Sequence, residues 1–180
     1  MFATREIRHA VAESRRRGLP ALGFVCDAPV ALAWIAGEGA TIGTAIERAA
    51  DGAVIGEIAI AIVGASLIMD RDGVLAETAH TGAARAADGS PAREEARGPT
   101  TCAGASGAVA SLVRLGRPPL PYVSVYALAG DDVIASALLV TVRHAAPEWP
   151  AAEALVASLR VASKDALLGR GAEPRRRSTG

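Results

Sequence analysis

The stretch AVIGEIAIAIVGASLIMDRDGVLAETAHT, Ala53–Thr81, decides the fold. Its first part, Ala53 to Met69, is almost wholly apolar but covers only 17 residues and carries Glu57. Crossing a bilayer takes about 20 apolar residues, and a carboxylate within the hydrocarbon costs several kcal/mol, so a buried strand or helix is the better reading than a membrane span. Ile58-Ala59-Ile60-Ala61-Ile62-Val63 places β-branched residues where a pleated, buried surface favours them. Asp70-Arg71-Asp72-Gly73 then interrupts the run with turn formers, including a glycine able to take positive φ. From Val74 to Thr81 the residues alternate, with Val74, Ala76 and Thr78 opposite Leu75, Glu77 and Ala79. This pattern predicts a β-hairpin centred on Asp72-Gly73.

Working outward toward the N-terminus, Thr4 is placed to cap a helix over 4–17. Glu6 lies in its first turn, Arg15, Arg16 and Arg17 in its last, and Gly18 and Pro20 stop it. Ala21 to Cys26 reads as a short buried strand, and Val30 to Ala36 as a strand or a short helix. After the glycines at 37–43, Thr44 to Ala50 reads as a helix ended by Asp51-Gly52. On the C-terminal side, residues 82–100 are small, charged or breaker residues and predict a mobile loop. Ala103 to Leu115 follows as a helix. Tyr122–Ala129 and Val133–Val142 form a second hairpin across Gly130-Asp131-Asp132. Pro150 opens a last helix with Leu155, Leu159 and Ala162 on one face, closed by Gly169. Residues 170–180, with Arg175-Arg176-Arg177, have nothing to bury and predict a disordered basic tail. The expected architecture is α+β: two β-hairpins forming a mostly antiparallel sheet covered by helices, in a single domain over 1–169.

Composition narrows the function. Of the 180 residues, 51% are hydrophobic but only 3% aromatic, so the core must be built from Ala, Val, Ile and Leu. The charges cancel, 19 basic against 19 acidic, which removes the electrostatic drive toward nucleic acid. Trp34, Trp149, Tyr122 and Tyr126 are too scattered for a base-stacking platform. Two cysteines make no disulfide framework, and the charged start, Thr4-Arg5-Glu6, is not a secretory signal, so a cytoplasmic setting is expected. No two of the histidines, His9, His80 and His144, have the i, i+4 spacing of metal ligands on a helix; His9 is expected on a surface helix.

Two places have the makings of chemistry. Gly37, Gly39, Thr41 and Gly43 precede the expected helix at 44 and read either as a flexible structural turn or as a place where backbone amides and the helix dipole cradle a phosphate or carboxylate. The spacing misses the dinucleotide fingerprint by one position, and no Gly-Lys-Ser/Thr follows. No particular cofactor is implied. Cys102 precedes the helix expected at 103–115, where a thiol pKa can be lowered, and His80 and His144 at the hairpin ends are its candidate bases; the competing reading is a small buried cysteine capping a packed helix. Turn formation explains Asp70, Asp72, Asp131 and Asp132, and Cys26 reads as inert core. With no complete catalytic set, the expected function is a small-molecule-binding or regulatory, sensor-like module, with a homo-oligomer a possible assembly. The alternative is a small cysteine-dependent enzyme of hydrolase, acyl-transfer or lyase type.

Overall fold

The computed structural model describes residues 2–68, 70–116 and 118–169; the tail expected at 170–180 lies outside them. The chain runs through β1 (Thr4–His9), α1 (Val11–Arg16), β2 (Gly23–Pro29), β3 (Ala33–Ala36), β4 (Thr41–Arg48) and β5 (Val54–Gly64). It continues through α2 (Arg71–Ala86), β6 (Ala92–Cys102), β7 (Ala105–Arg114), β8 (Tyr122–Ala129) and β9 (Ser136–His144). It ends with α3 (Pro150–Ala157), β10 (Arg160–Ala162) and a 3₁₀ turn, Asp165–Leu168. Strands make up 47% and helices 20%, so the protein is mostly β rather than the helix-covered α+β layer expected from the sequence. The described residues form two sheets: a small one, β1-β2-β10, and a seven-stranded one in the order β3-β4-β5-β9-β8-β7-β6, both paired antiparallel throughout.

The expected hairpin at Asp72-Gly73 is instead a strand followed by a helix. Asp70 precedes α2 with φ 48°, and Gly73 lies in the first helical turn, where the Asp70 carboxylate comes within 2.3 Å of the place a Cβ would occupy. Between 74 and 81 a period of 2 and a period of 3.6 both fit the sequence. Burial settles which applies: Leu75, Ala79, Ala83 and Ala86 form the inward stripe, and the alanine-rich continuation favours helix. The expected loop at 82–100 is therefore the end of α2 plus β6, an edge strand. Residues 92–97 are all exposed, so β6 carries no apolar alternation that a sequence reading could detect.

Other helix expectations fail for a related reason. Residues 105–114 form β7, hydrogen-bonded to β6 and β8, because its buried alanines Ala108 and Ala110 alternate with Val109 and Ser111. Sheet pairing here overrides alanine's helical preference. Residues 44–48 belong to β4. The expected 4–17 helix divides into β1 and the short α1, which makes His9 a buried strand residue and not a surface one. The last helix keeps Pro150 in its first turn but stops at Ala157. The strand through Ile58–Val63 and the hairpin of β8 and β9 are present, the latter with its second strand at Ser136–His144, and the strand expected at 21–26 runs instead from Gly23 to Pro29, through the expected turn at 27–29.

The large sheet has two different faces. On β5, Ile58, Ile60 and Ile62 lie opposite Val142, Val140 and Leu138 of β9, and all six are buried. This core face meets Trp149, whose ring sits so close over Gly56 that a Cβ there would fall 2.5 Å from it. The other face carries α2: a Cβ on Gly82 would meet Val125 of β8 at 2.8 Å and Leu139 of β9 at 3.4 Å. Arg71 ties the start of α2 to the end of β8, donating from Nη2 to the carbonyls of Ala129 (2.7 Å) and Gly130 (2.9 Å). Each fully buried aliphatic side chain contributes about 1.5–3 kcal/mol, and the core of small and aliphatic residues has little room for a large ring. Among the described residues, no helix is long and apolar enough to cross a membrane.

Candidate functional site

α2 rests on β7 and β8, and β6 extends past it as the sheet edge. A groove is left between helix and edge strand, floored by β7. Its walls are kept apart by the small side chains of Ala76, Ala83, Ala84 and Ala87 on α2 and by Gly107, Ala108 and Ala110 below. The groove has two chambers. The larger, about 590 Å³, lies beside Asp72, Ala76, Arg97, Pro99 and Thr101, and the smaller, about 370 Å³, beside His80, Ala84, Ser90, Glu94 and Leu112.

A polar strap divides them. Arg97 Nη2 donates to His80 Nδ1 at 2.8 Å and to Glu94 Oε2 at 2.6 Å. Because a guanidinium can only donate, His80 accepts at Nδ1 and carries its proton on Nε2. One nitrogen of Arg97 makes both bonds, so Nε–H and Nη1–H have no partner among the described residues. In the smaller chamber Ser90 Oγ is buried, also without a hydrogen-bond partner among the described residues.

A second cleft lies on the core face, between α3 and strands β8 and β9. It has an inner part of about 80 Å³ bounded by Ser124, Tyr126, His144, Trp149 and Glu153. An outer part of about 180 Å³ reaches Glu95, Ser111 and Tyr122. His144 is buried, stacked on Tyr122 with centroids 5.5 Å apart, and donates from Nδ1 to the Ala146 carbonyl, so its Nε2 is an acceptor in the neutral ring. Burial lowers the His144 pKa, with the Ala146 hydrogen bond and Glu153 pulling in the opposite direction. Burial, followed by Cys102 and Glu153, raises the Tyr126 phenol.

The residues expected to act with Cys102 are not brought to it. His80 bonds Arg97, five positions before Cys102 on β6, and side chains along a strand alternate, so His80 and Cys102 lie on opposite faces of the sheet. His144 shares the face of Cys102, but its row meets β7 at Val113 whereas Cys102 meets it at Ala105. Those eight residues of strand span about 26 Å. Cys102 ends a strand rather than starting a helix, and burial raises its thiol pKa, the reverse of an activated thiolate. Cys26, within β2, is buried and pushed up to about 12 by that burial, then by Asp27 and Glu6.

The glycine cluster is the turn of the β3–β4 hairpin, with no helix behind it to supply a dipole. Gly37 N–H donates to the Ile42 carbonyl, and Gly39 has φ 58°. A Cβ at Gly43 would sit 2.1 Å from the Trp34 ring. The carbonyls of Gly37 and Thr41 both accept from Arg17 Nη2, so at that site backbone oxygens face a cation where an anion cradle would present amides. Asp132 Oδ2 accepts from the Ser163 backbone and hydroxyl. Among the described residues, no three His, Cys, Asp or Glu side chains are grouped to hold a metal ion.

Of the expected site residues, His80 and His144 each line a cavity, in separate places. Arg97 and Glu153 escaped sequence reading. One lay in the presumed loop and the other among the polar positions of a helix, and neither stands in a motif. Compared with known proteins, the chain matches no family model and no curated protein.

Proposed function

We propose that the protein is a small-molecule-binding, sensor-like module whose ligand is a small organic acid held in the groove between α2 and β6. The observation that carries this reading is Arg97, a guanidinium with unused donors on the wall of a chamber of about 590 Å³ whose other polar lining is Asp72, Thr100, Thr101 and Ser106. Ligand sites are commonly apolar cavities of a few hundred Å³ with a few convergent polar groups. A carboxylate oxygen can accept a charge-assisted hydrogen bond from Nη1–H, while Glu94 and His80 hold Nη2 and pre-orient the guanidinium. The apolar body of the acid would lie over Ala76, Pro99 and Ala108, and a polar substituent could reach Ser90 Oγ in the smaller chamber.

The test uses hexanoate, with hexanol and hexylammonium as neutral and cationic counterparts, and calorimetric titration of the full chain. Hexanoate should bind most tightly. Arg97→Ala should weaken it about fivefold, the worth of a half-exposed charge-assisted pair, and Ala76→Leu, which projects three more carbons into the larger chamber, should also weaken it. Equal affinity for hexanol and hexanoate, or hexanoate binding indifferent to both substitutions, would overturn the proposal.

A further inference from the structure

The cleft on the opposite face has the complementary chemistry. Its lining contains no lysine or arginine. Of its two acids, Glu95 already holds Arg93 at 2.8 Å, whereas Glu153, exposed at the mouth, has no ion-pair partner among the described residues. Deeper in, His144 is only 7% exposed, and its one hydrogen bond is spent from Nδ1 on the Ala146 carbonyl. Its Nε2 has no partner among the described residues, and the residue lines both parts of the cleft. Ser124 Oγ lies 2.8 Å from Ser111 Oγ, and the Tyr126 ring completes the wall. A fixed neutral imidazole lone pair, a free carboxylate, hydroxyl oxygens and an aromatic ring therefore converge on an inner space of about 80 Å³. Acceptors dominate, so the occupant has to supply several N–H donors and a positive charge from a headgroup no larger than an ammonium. An aromatic wall adds attraction for a cation.

We propose that this cleft is a second binding site, for a small primary ammonium ion, which donates to His144 Nε2 and Glu153 and rests against Tyr126. The negative field of Glu153, which raises both Tyr126 and His144, acts in the same sense. The site does not depend on the groove around Arg97: the two lie on opposite faces of the sheet.

Propylammonium is the probe, with propanol as its neutral counterpart, and binding to the full chain is read from the NMR signals of the His144 ring. Propylammonium should shift those signals saturably, and Glu153→Gln should weaken it about fivefold, as expected for an exposed ion pair, while leaving propanol unchanged. Glu153 is exposed, so this variant keeps the fold. Arg97→Ala should have no effect. Propanol binding as tightly as propylammonium, an unchanged affinity in Glu153→Gln, or no saturable shift at His144 would each overturn the assignment.

Discussion

Replacing Leu75 by alanine tests the reading of the 70–86 segment as a helix packed on the sheet. Leu75 is 1% exposed, at the start of the inward stripe of α2, and its helical neighbours on that stripe, Ala79 and Ala83, are too small to move into the space it would leave. Truncation at a site that cannot collapse costs the transfer energy of the lost atoms plus a cavity term, here about 3 kcal/mol. For a chain of this size that lowers the melting temperature by roughly 6–12 °C. The companion substitution is Ala84→Gly. Ala84 is exposed near the end of α2, so its change touches only backbone preference and should cost about 0.5–1 kcal/mol in a helix, but nothing in a loop. The two positions are nine residues apart on α2, about 13 Å along its axis, so the double variant should show the sum of the single losses. Urea denaturation followed by circular dichroism measures all three, with the slope m unchanged if only the native state is affected. A loss below about 1 kcal/mol for Leu75→Ala, or a neutral Ala84→Gly, would refute the packing and the helix respectively.

Stability should also depend on pH through His9 and His144. Both are buried, and burial, the largest cause in each case, lowers the pKa from 6.5. His9 is further fixed by its 2.8 Å contact with Ser14 Oγ, which itself donates to the Leu22 carbonyl. Above pH 6.5 the rings are neutral in both states and the full stability is present. As the pH falls below 6.5 the unfolded chain takes up protons first, so unfolding becomes easier toward the lower folded-state pKa. Urea midpoints at pH 7.5 and 5.5 should show the loss, and His9→Gln should flatten part of it; a midpoint that rises on acidification contradicts the assignment. The cysteines offer another check. Both thiols titrate above their ordinary value, so iodoacetamide at pH 7.5 should modify Cys102 more slowly than free cysteine and should reach Cys26 only on unfolding. Rapid alkylation of Cys102 in the folded protein would restore the idea of an activated thiol.

How much could be read in advance differs between segments. Strands buried on the core face, such as Ile58–Val63 and Tyr122–Ala129, announce themselves because large β-branched or aromatic side chains recur in them. Alanine-rich segments do not. Ala105–Arg114 and Arg71–Ala86 contain the same small residues, yet one is a strand paired on both sides and the other a helix. The edge strand β6 is invisible for a different reason: its exposed residues 92–97 have no buried face to imprint a period on the sequence. For the candidate sites, the sequence marks His80 and His144 as chemically able, but not that they lie in separate cavities, nor that Arg97 and Glu153 are the charges at those cavities.

From its residues alone, this protein was bound to have a core of aliphatic and small side chains, no net charge and a buried β-strand past position 53. Those properties depend on composition and local pattern, which need no partner. Tertiary structure decided whether each alanine-rich segment became helix or strand, and which side chains met across the sheet. Alanine fits either backbone at a cost of a fraction of a kcal/mol, so the choice rests with neighbours far away in sequence. Strand pairing turns alternate residues to opposite faces. It therefore put His80 beside Arg97 on one side of the sheet and left Cys102 on the other.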